Sequence, residues 1–460
     1  MIDLFNKDFE AFESRFTTFF SKINLKSLLK ECGVNKIKGI DAFLVFKFIF
    51  STIFTGLSLL RREKEEDDAP SKNTVSRFMT SCKADWSKLT CRVSAAINSI
   101  FLSSVHEAED KKKERTFRSF IVDDSPYLRN KSNKVELLAR NFDHANHSYF
   151  KGFRMLTLGY SDGYSFLPVS SCCMSSGNEK NVLNKADETI KPGTPADRRR
   201  KLAIEEMPAA TIALIDEAKE NGLSADYVLM DSWFICPKMI RALTTRGYNV
   251  CGMVKKSKTK YSIEGKEKTL TQIFKENRKK RGRSRYLLSV VVKIKDDDGN
   301  DLELKLVYVR NRANRKEWLC ILSTDTTLTE DEVIACYSER WAIETFFKFS
   351  KQKLQIVKRC NAISYDAICA NNAIAFIQYA MLELERRLSN DNRTLGELFV
   401  DMLVDGDQDK IAAAVSVFLS MFADELVESM HLQADTVEKL LNEFCTKLPE
   451  LFSKRFKNCA

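Results

Sequence analysis

Apolar positions recur at helical spacing through the first hundred residues. Asp3–Lys22 and Ile40–Leu60 both carry the pattern, with Phe43, Phe46, Phe50, Phe54 and Leu57 three or four apart. The charged run Arg61–Ser71, with Pro70 near its end, breaks it. Ser71 then predicts an N-cap for a short helix, KNTVSRFMTS, with Val75, Phe78 and Met79 on one side and Lys72, Asn73 and Arg77 on the other. Such a helix suits either a major-groove reader or a plain surface position in a helical bundle.

Beyond residue 110 the period shortens. FRSFIVDDS (Phe117–Ser125) is an apolar run ending in two aspartates. Met155–Asp162 and Tyr164–Met174 predict strands around an Asp162-Gly163 turn. A polar loop over Ser175–Arg200 leads to a predicted long helix, Lys201–Asn221, closed by Gly222. DYVLMDSWF (Asp226–Phe234) is another buried β run reaching an aspartate, followed by a helix at Cys236–Arg246 and a strand at Tyr248–Val254. Strands alternating with helices of this length predict an α/β unit with a mixed sheet.

Lys255–Thr324 interrupts the alternation with the β runs LLSVVVKI, LELKLVYVR and EWLCILST and a turn at Asp296–Asn300. One helix is then predicted over Thr329–Leu354, with further helices over Tyr365–Leu388 and much of Leu395–Phe456, and acids at Asp405–Asp409 in a loop. The expected organisation is a helical, DNA-binding region at 1–110, an α/β unit at 111–258 and 325–362, a β-rich insertion at 259–324, and a helical region at 363–460.

Composition narrows the class. At 460 residues and 44% hydrophobic content the chain holds real cores, in roughly two to four units. The formal charge is +10. Basic residues cluster at Lys111–Arg115, Arg198–Lys201 and Arg278–Arg285; the last, the densest, includes Arg281 and Arg283. Such blocks suit a polyanion, because neutralised phosphates release condensed counterions. The 13 cysteines form no CxxC pair, and with 4 histidines a zinc site finds no support. Free thiols fit a reducing cytoplasm. The opening MIDLFNKDFE lacks an apolar run, so no signal peptide is expected. Phe43–Leu60, which contains Lys47 and four hydroxyl residues, reads as a core helix; no membrane span is expected.

The chemistry gathers on YSERWAIETFFKFSK, Tyr337–Lys351. At ~100° per residue, Tyr337, Arg340, Glu344 and Lys351 fall within about 60° of a helix face, together with Trp341 and Lys348. Taken alone, this is also what a solvated face with a Glu344–Lys348 pair looks like. Asp123 and Asp231, each ending an apolar strand, change that reading. Two strand-end aspartates and a helical glutamate can hold two hard divalent cations about 4 Å apart, with Arg340 and Lys351 clamping phosphates. Singly, Asp123 also suits a turn, and Asp231 a helix cap.

The ungapped Y-x2-R-x3-E-x6-K pattern, with the order Asp123, Asp231, Glu344, closely resembles the bacterial cut-and-paste DDE transposases bearing the YREK signature, the IS-four group. DDSPYLRNKSNKVELLARNFDH and VLMDSWF are similar to that group as well, so the resemblance spans about Phe117–Leu354. It implies an RNase H-like core with a β-rich insertion before the glutamate. It further implies Mg²⁺, with Mn²⁺ able to substitute, held by Asp123, Asp231 and Glu344, and cleavage, hairpin excision and strand transfer on DNA. Tyr337, Arg340 and Lys351 would contact transposon-end phosphates. Trp318, in EWLCILST, would stack on a flipped base. Asp123-Asp124-Ser125 departs from the usual aspartate, small residue, Thr or Ser. Asp124 becomes the ligand if the strand register is shifted, because only one of two adjacent side chains faces a given side. The expected partners are transposon-end and target DNA and a second copy of the chain, joined partly through the C-terminal helices. The expected location is the bacterial cytoplasm, at the nucleoid when DNA is bound. Two rivals stand beside this reading: a two-metal endonuclease without strand transfer, and a catalytically silent DNA-binding descendant.

Overall fold

The computed structural model describes residues 15–403, apart from 36–37, 67, 105–115, 144–145, 281, 283, 312, 315 and 390–392, and a few isolated positions beyond 403. The KKKER run, Arg281, Arg283, the Asp405–Asp409 loop and nearly all of the C-terminal region to which dimerisation was assigned lie outside the described residues.

Residues 15–22 form α1, followed by α2 (Leu25–Glu31), α3 (Ala42–Thr52), α4 (Leu59–Glu65), α5 (Lys72–Met79) and α6 (Trp86–Ser104). The phenylalanine spacing has a direct use, since Phe16, Phe19 and Phe20 of α1 meet Phe46 and Phe50 of α3 in an aromatic cluster with centroids 5.1–6.2 Å apart. The hydroxyls that argued against a membrane span are satisfied locally. Thr52 Oγ1 donates to the Phe48 carbonyl at 2.6 Å, and Thr55 Oγ1 to that of Thr52 at 2.9 Å. Arg62 of α4 folds back to donate to Phe48 O at 2.8 Å and Ser51 Oγ at 2.6 Å, capping the end of α3. Ser71 Oγ accepts from Thr74 N as expected of an N-cap.

The sheet has 11 strands. β1 (Ser119–Leu128), β2 (Ala139–Asp143), β3 (Ser148–Ser161) and β4 (Phe166–Met174) come first. After α7 (Pro195–Ile204) and α8 (Met207–Glu220) follow β5 (Tyr227–Met230), α9 (Pro237–Thr244) and β6 (Asn249–Val254). Then come β7 (Lys260–Ile263), β8 (Lys266–Thr269), α10 (Leu270–Glu276), β9 (Tyr286–Lys295), β10 (Asp301–Arg310) and β11 (Trp318–Ser323). The spatial order is β2-β3-β1-β5-β6-β11-β10-β9-β7-β8, and β4 also pairs β3, on the edge away from β1. β1 is antiparallel to β3 and parallel to β5, which is parallel to β6. The β runs after residue 255 continue this same sheet through antiparallel β11–β6 pairing.

Two long predicted helices are broken. The helix expected over Lys201–Asn221 starts earlier, at Pro195 within the expected polar loop, and is two, α7 and α8, parted at Glu205–Glu206 just ahead of Pro208, whose ring suits a first helical turn and no later one. Thr329–Leu354 is α11 (Glu330–Ser338) and α12 (Trp341–Gln352), parted at Glu339–Arg340. Around the break Arg340 N, Ala342 N and Ile343 N each bond the carbonyl three residues back, a tightened turn that re-aims α12. Among the described residues, one helix, α13 (Tyr365–Leu388), is long and apolar enough to cross a membrane, but 89% of its apolar window is buried inside the protein.

The basic block at α7 is an internal fastener. Arg200 is paired on both sides, to Asp366 of α13 at 2.8 and 2.9 Å and to Glu136 at 2.7 and 2.9 Å. Arg199 pairs with Asp366 at 3.0 Å, Arg198 with Asp85 and Lys201 with Asp197, both at 2.9 Å. Asp366→Ala takes one of its two carboxylate partners from the buried Arg200 and the ion-pair partner from the half-buried Arg199, and is expected to lower stability by about 3–5 kcal/mol. Urea unfolding followed by circular dichroism measures it, and a loss below about 1 kcal/mol would mean the pairing is dispensable.

Candidate active site

The site grows from an uneven strand pair. β1 and β5 run parallel in register up to Val122↔Met230, where β5 ends. β1 continues against β3 as far as Leu128↔Gly152. Asp123 and Asp231 are therefore the next residues on neighbouring strands, at the carboxyl end of β5, where an open α/β sheet leaves a crevice. Asp231 is turned by its own backbone: its Oδ1 accepts the Trp233 N–H at 2.7 Å.

Alternation along β1 separates the two adjacent aspartates. Asp123 meets the Arg340 guanidinium at 3.1 Å. Asp124 is held instead by Arg154 of β3, through two bonds of 2.6 Å. Such a bidentate pair satisfies a carboxylate fully. Asp123 is thus the aspartate that faces the helix bearing Glu344.

Arg340 sits at the break between α11 and α12. One guanidinium nitrogen reaches Asp123, the other bonds Glu344, and its Nε is buried without a partner. Its guanidinium lies 5.7 Å from the Tyr337 ring. Tyr337 is half-buried, and burial raises its hydroxyl pKa, with Asp231 adding to the rise. In its last turn, α12 brings Lys351 to Ser125 Oγ on β1, and burial lowers the ammonium pKa there. The fold therefore gathers Asp123, Asp231, Glu344, Tyr337, Arg340 and Lys351 around the free end of β1. Trp341 and Lys348, on the same helix, are exposed.

Trp318 lies elsewhere. On β11 its ring packs on Phe274 at 4.9 Å and Tyr308 at 5.0 Å, with Lys256 Nζ 4.4 Å from its centroid. Sequence reasoning also passed over Arg154 and Trp233. The signal for Trp233 was visible as a large aromatic two residues after the second aspartate; that for Arg154 was not, because strand pairing alone brings it to Asp124.

The donor set suits a hard divalent cation: carboxylate oxygens, partly buried, with one cation already bridging two of them. As they stand, the described residues form no cluster of three ligating side chains, because the Arg340 guanidinium lies between Asp123 and Glu344. Asp123 is under-neutralised. Burial pushes the Asp123 carboxyl up to about 7, and Asp231 and Asp124 push the same way against Arg340. The folded carboxyl thus holds its proton well above its ordinary value of 3.8, while the unfolded one releases it there. Above that ordinary value the folded state binds more protons, so stability falls as pH rises from about 4 to about 7. Glu217 and Glu339, likewise raised to about 7 by burial, add to the same fall. In EDTA, Asp123→Asn is expected to lose less stability than the parent between pH 5 and pH 8, measured by urea unfolding. Equal losses would remove Asp123 from the effect.

No curated protein sequence matches the chain. A family model described as DDE superfamily endonuclease matches residues 69–305, just over half of the chain, and takes in Asp123 and Asp231 but stops before Glu344. By that match the chain belongs to the DDE superfamily endonucleases.

Proposed function

We propose that the chain is a cut-and-paste DNA transposase of the YREK, IS-four type, binding transposon ends, cleaving them and joining them to target DNA. Family membership itself brings DNA as substrate and divalent-metal-dependent cleavage. The observation that carries the finer reading is the ungapped Tyr337, Arg340, Glu344, Lys351 pattern on two helices that face β1, with Arg340 joining Asp123 to Glu344. A plain nuclease has no need of the whole stripe.

Support for an RNase H-like core comes from the run β4–β3–β1–β5–β6, three antiparallel strands followed by two parallel ones, with the acids leaving from β1 and β5. In this reading β7–β11 with α10 are the β-rich insertion before the glutamate. The protein works as a dimer on paired ends, in the cytoplasm at the nucleoid.

Asp123, Asp231 and Glu344 would hold Mg²⁺ or Mn²⁺, with Asp124 kept out of the set by Arg154. A bound ion would sharpen a water or 3′-hydroxyl nucleophile and stabilise the departing phosphodiester oxygen. The other tasks fall to the chain. Arg340, with an unpartnered buried Nε, presents a planar fork for a phosphate once it withdraws from the acids. Lys351, stripped of part of its hydration by burial, offers a point charge to the next phosphate, and the Tyr337 hydroxyl donates beside it. Trp318 could still stack a base, but only by moving against its aromatic neighbours.

Asp123→Asn, Asp231→Ala and Glu344→Ala are each expected to abolish Mg²⁺-dependent cleavage of DNA carrying the element's terminal repeats, while leaving DNA binding largely intact. Gel analysis of the products separates the readings. Hairpinned ends and strand-transfer products support a transposase; cleavage without joining makes it a nuclease, and binding without products a silent DNA-binding protein. Full cleavage by Glu344→Ala would sink the site assignment.

Lys351→Ala is expected to weaken end binding and reduce the slope of log K against log salt by about one. An unchanged slope in a fluorescence-anisotropy titration would take Lys351 off the phosphate.

A further inference from the structure

α8 carries an acid where its own pattern calls for an apolar residue. Thr211, Leu214, Ile215 and Ala218 form its buried face, and Glu217, three residues after Leu214, lies on the same stripe. One carboxylate oxygen of Glu217 accepts from Ser87 Oγ of α6, which also meets Ser170 Oγ of β4. The other oxygen has no hydrogen-bond partner among the described residues. Burial pushes the carboxyl up to about 7, with Asp85 and Glu220 pushing the same way against the Ser87 bond and Arg198.

Glu217 lines a cavity of about 330 Å³ between β4 and the helices α6, α7, α8 and α13. Trp86, Leu202, Leu214, Ala373 and Phe376 give it apolar walls. Arg198 and Glu220 also line it and are exposed, so it opens to solvent. A space of this size, apolar with a few polar groups, is the usual form of a small-molecule site. The other charges along it are matched or solvated. Arg198 pairs with Asp85 at 2.9 Å, Arg199 with Asp366 at 3.0 Å and Asp216 with Arg246 at 2.9 Å, while Glu220 stands in water. Among the described residues, that leaves Glu217 as the partly buried charge of the cavity with no opposite charge. A desolvated carboxyl of this kind gains most from a cation that brings its own N–H donors.

We propose that this cavity binds a small organic ammonium ion, its charged nitrogen on Glu217 and its apolar body against Trp86, Leu214 and Phe376. The charge-assisted bond needs Glu217 ionised, so binding below about pH 7 releases a proton. α6 precedes β1 in the chain, whereas α7, α8 and α13 follow it. An occupant would therefore hold the N-terminal helices to the later ones and stabilise the fold by mass action. The site is separate from Asp123, Asp231 and Glu344, and the proposal does not rest on their chemistry.

The test uses the full chain and four probes: benzylammonium, benzyl alcohol, methylammonium and benzoate. Each is titrated at pH 8 by isothermal calorimetry, with the thermal unfolding midpoint followed in parallel. Benzylammonium is expected to bind saturably, to raise the midpoint, and to bind about 10- to 150-fold more tightly than benzyl alcohol, which lacks the charge. Methylammonium has no apolar body and benzoate the wrong charge, so both should bind more weakly than benzylammonium. At pH 6 benzylammonium should release a proton, seen as heat that changes with the ionisation enthalpy of the buffer. Glu217→Gln, nearly the same shape, should bring benzylammonium down to the level of benzyl alcohol and abolish the proton release. The proposal is overturned if the parent protein binds the ammonium no better than the alcohol, or binds benzylammonium without saturation. It is also overturned if Glu217→Gln keeps the preference. The comparison among probes is made on the parent protein, so it stands even if the variant does not fold.

Discussion

The bridge from Asp123 through Arg340 to Glu344 sets the geometry on which the rest of this end of the molecule depends. It links residues 217 positions apart, one on the central strand and the other at the break between two helices. Each of these charges loses solvation on folding, at a cost of several kcal/mol per fully buried ion, and only close pairing offsets it. The break at Glu339–Arg340 follows from that need. A straight helix from Thr329 to Leu354 would carry the four signature side chains on one stripe. The tightened turn instead lets Tyr337 approach Asp231 from α11 while Lys351 reaches Ser125 from α12.

A second guanidinium in the same protein shows what a purely structural version looks like. Arg200 spends its nitrogens on Glu136 and Asp366; Glu136 also accepts from the backbone of Tyr365, and Arg199 lies in ion-pair range of Asp366. Arg340 faces a larger acidic group with less to give. Its Nε is unpartnered, and Asp123 is driven toward its protonated form. Arg200, with every guanidinium nitrogen bonded, fastens α7 to α13. The unmatched network at the end of β5 is poised to take more positive charge, and perturbed acids in a crevice of this kind mark functional sites.

Much of this was legible in the chain. The apolar run that stops at Asp231 revealed a strand end, because a carboxylate cannot continue a buried run without compensation. The run that stops at Asp123 did not, since β1 carries on to Leu128 against β3 and Asp123 lies within the strand. The spacing of Tyr337, Arg340, Glu344 and Lys351 revealed a shared face, although not the break within it. What sequence could not supply was pairing across distance. RRRK at Arg198–Lys201 looked like a polyanion site, and all four cations are in fact paired within the protein. Trp318 stood out by its strand, yet it is packed among aromatics, while Trp233 is left open two residues from an acid. Solvent exposure of an aromatic is decided by where the neighbouring strand ends, and the length of β5 against β1 is not written locally.

The two adjacent aspartates show how a strand divides labour. Because the pleat sends Asp123 and Asp124 to opposite sides, each must find its own cation, and each does so on a different element: Arg340 ahead of α12, and Arg154 on β3. The pairings are unequal in kind. Arg154 meets Asp124 with both prongs, which fixes the guanidinium and whatever lies against it. Arg340 shares itself between two carboxylates and commits fully to neither, so the acid on that side keeps an affinity for further charge. A rigid pair and an unsatisfied one, a single residue apart, let one strand end both hold a surface still and leave a carboxylate available for chemistry.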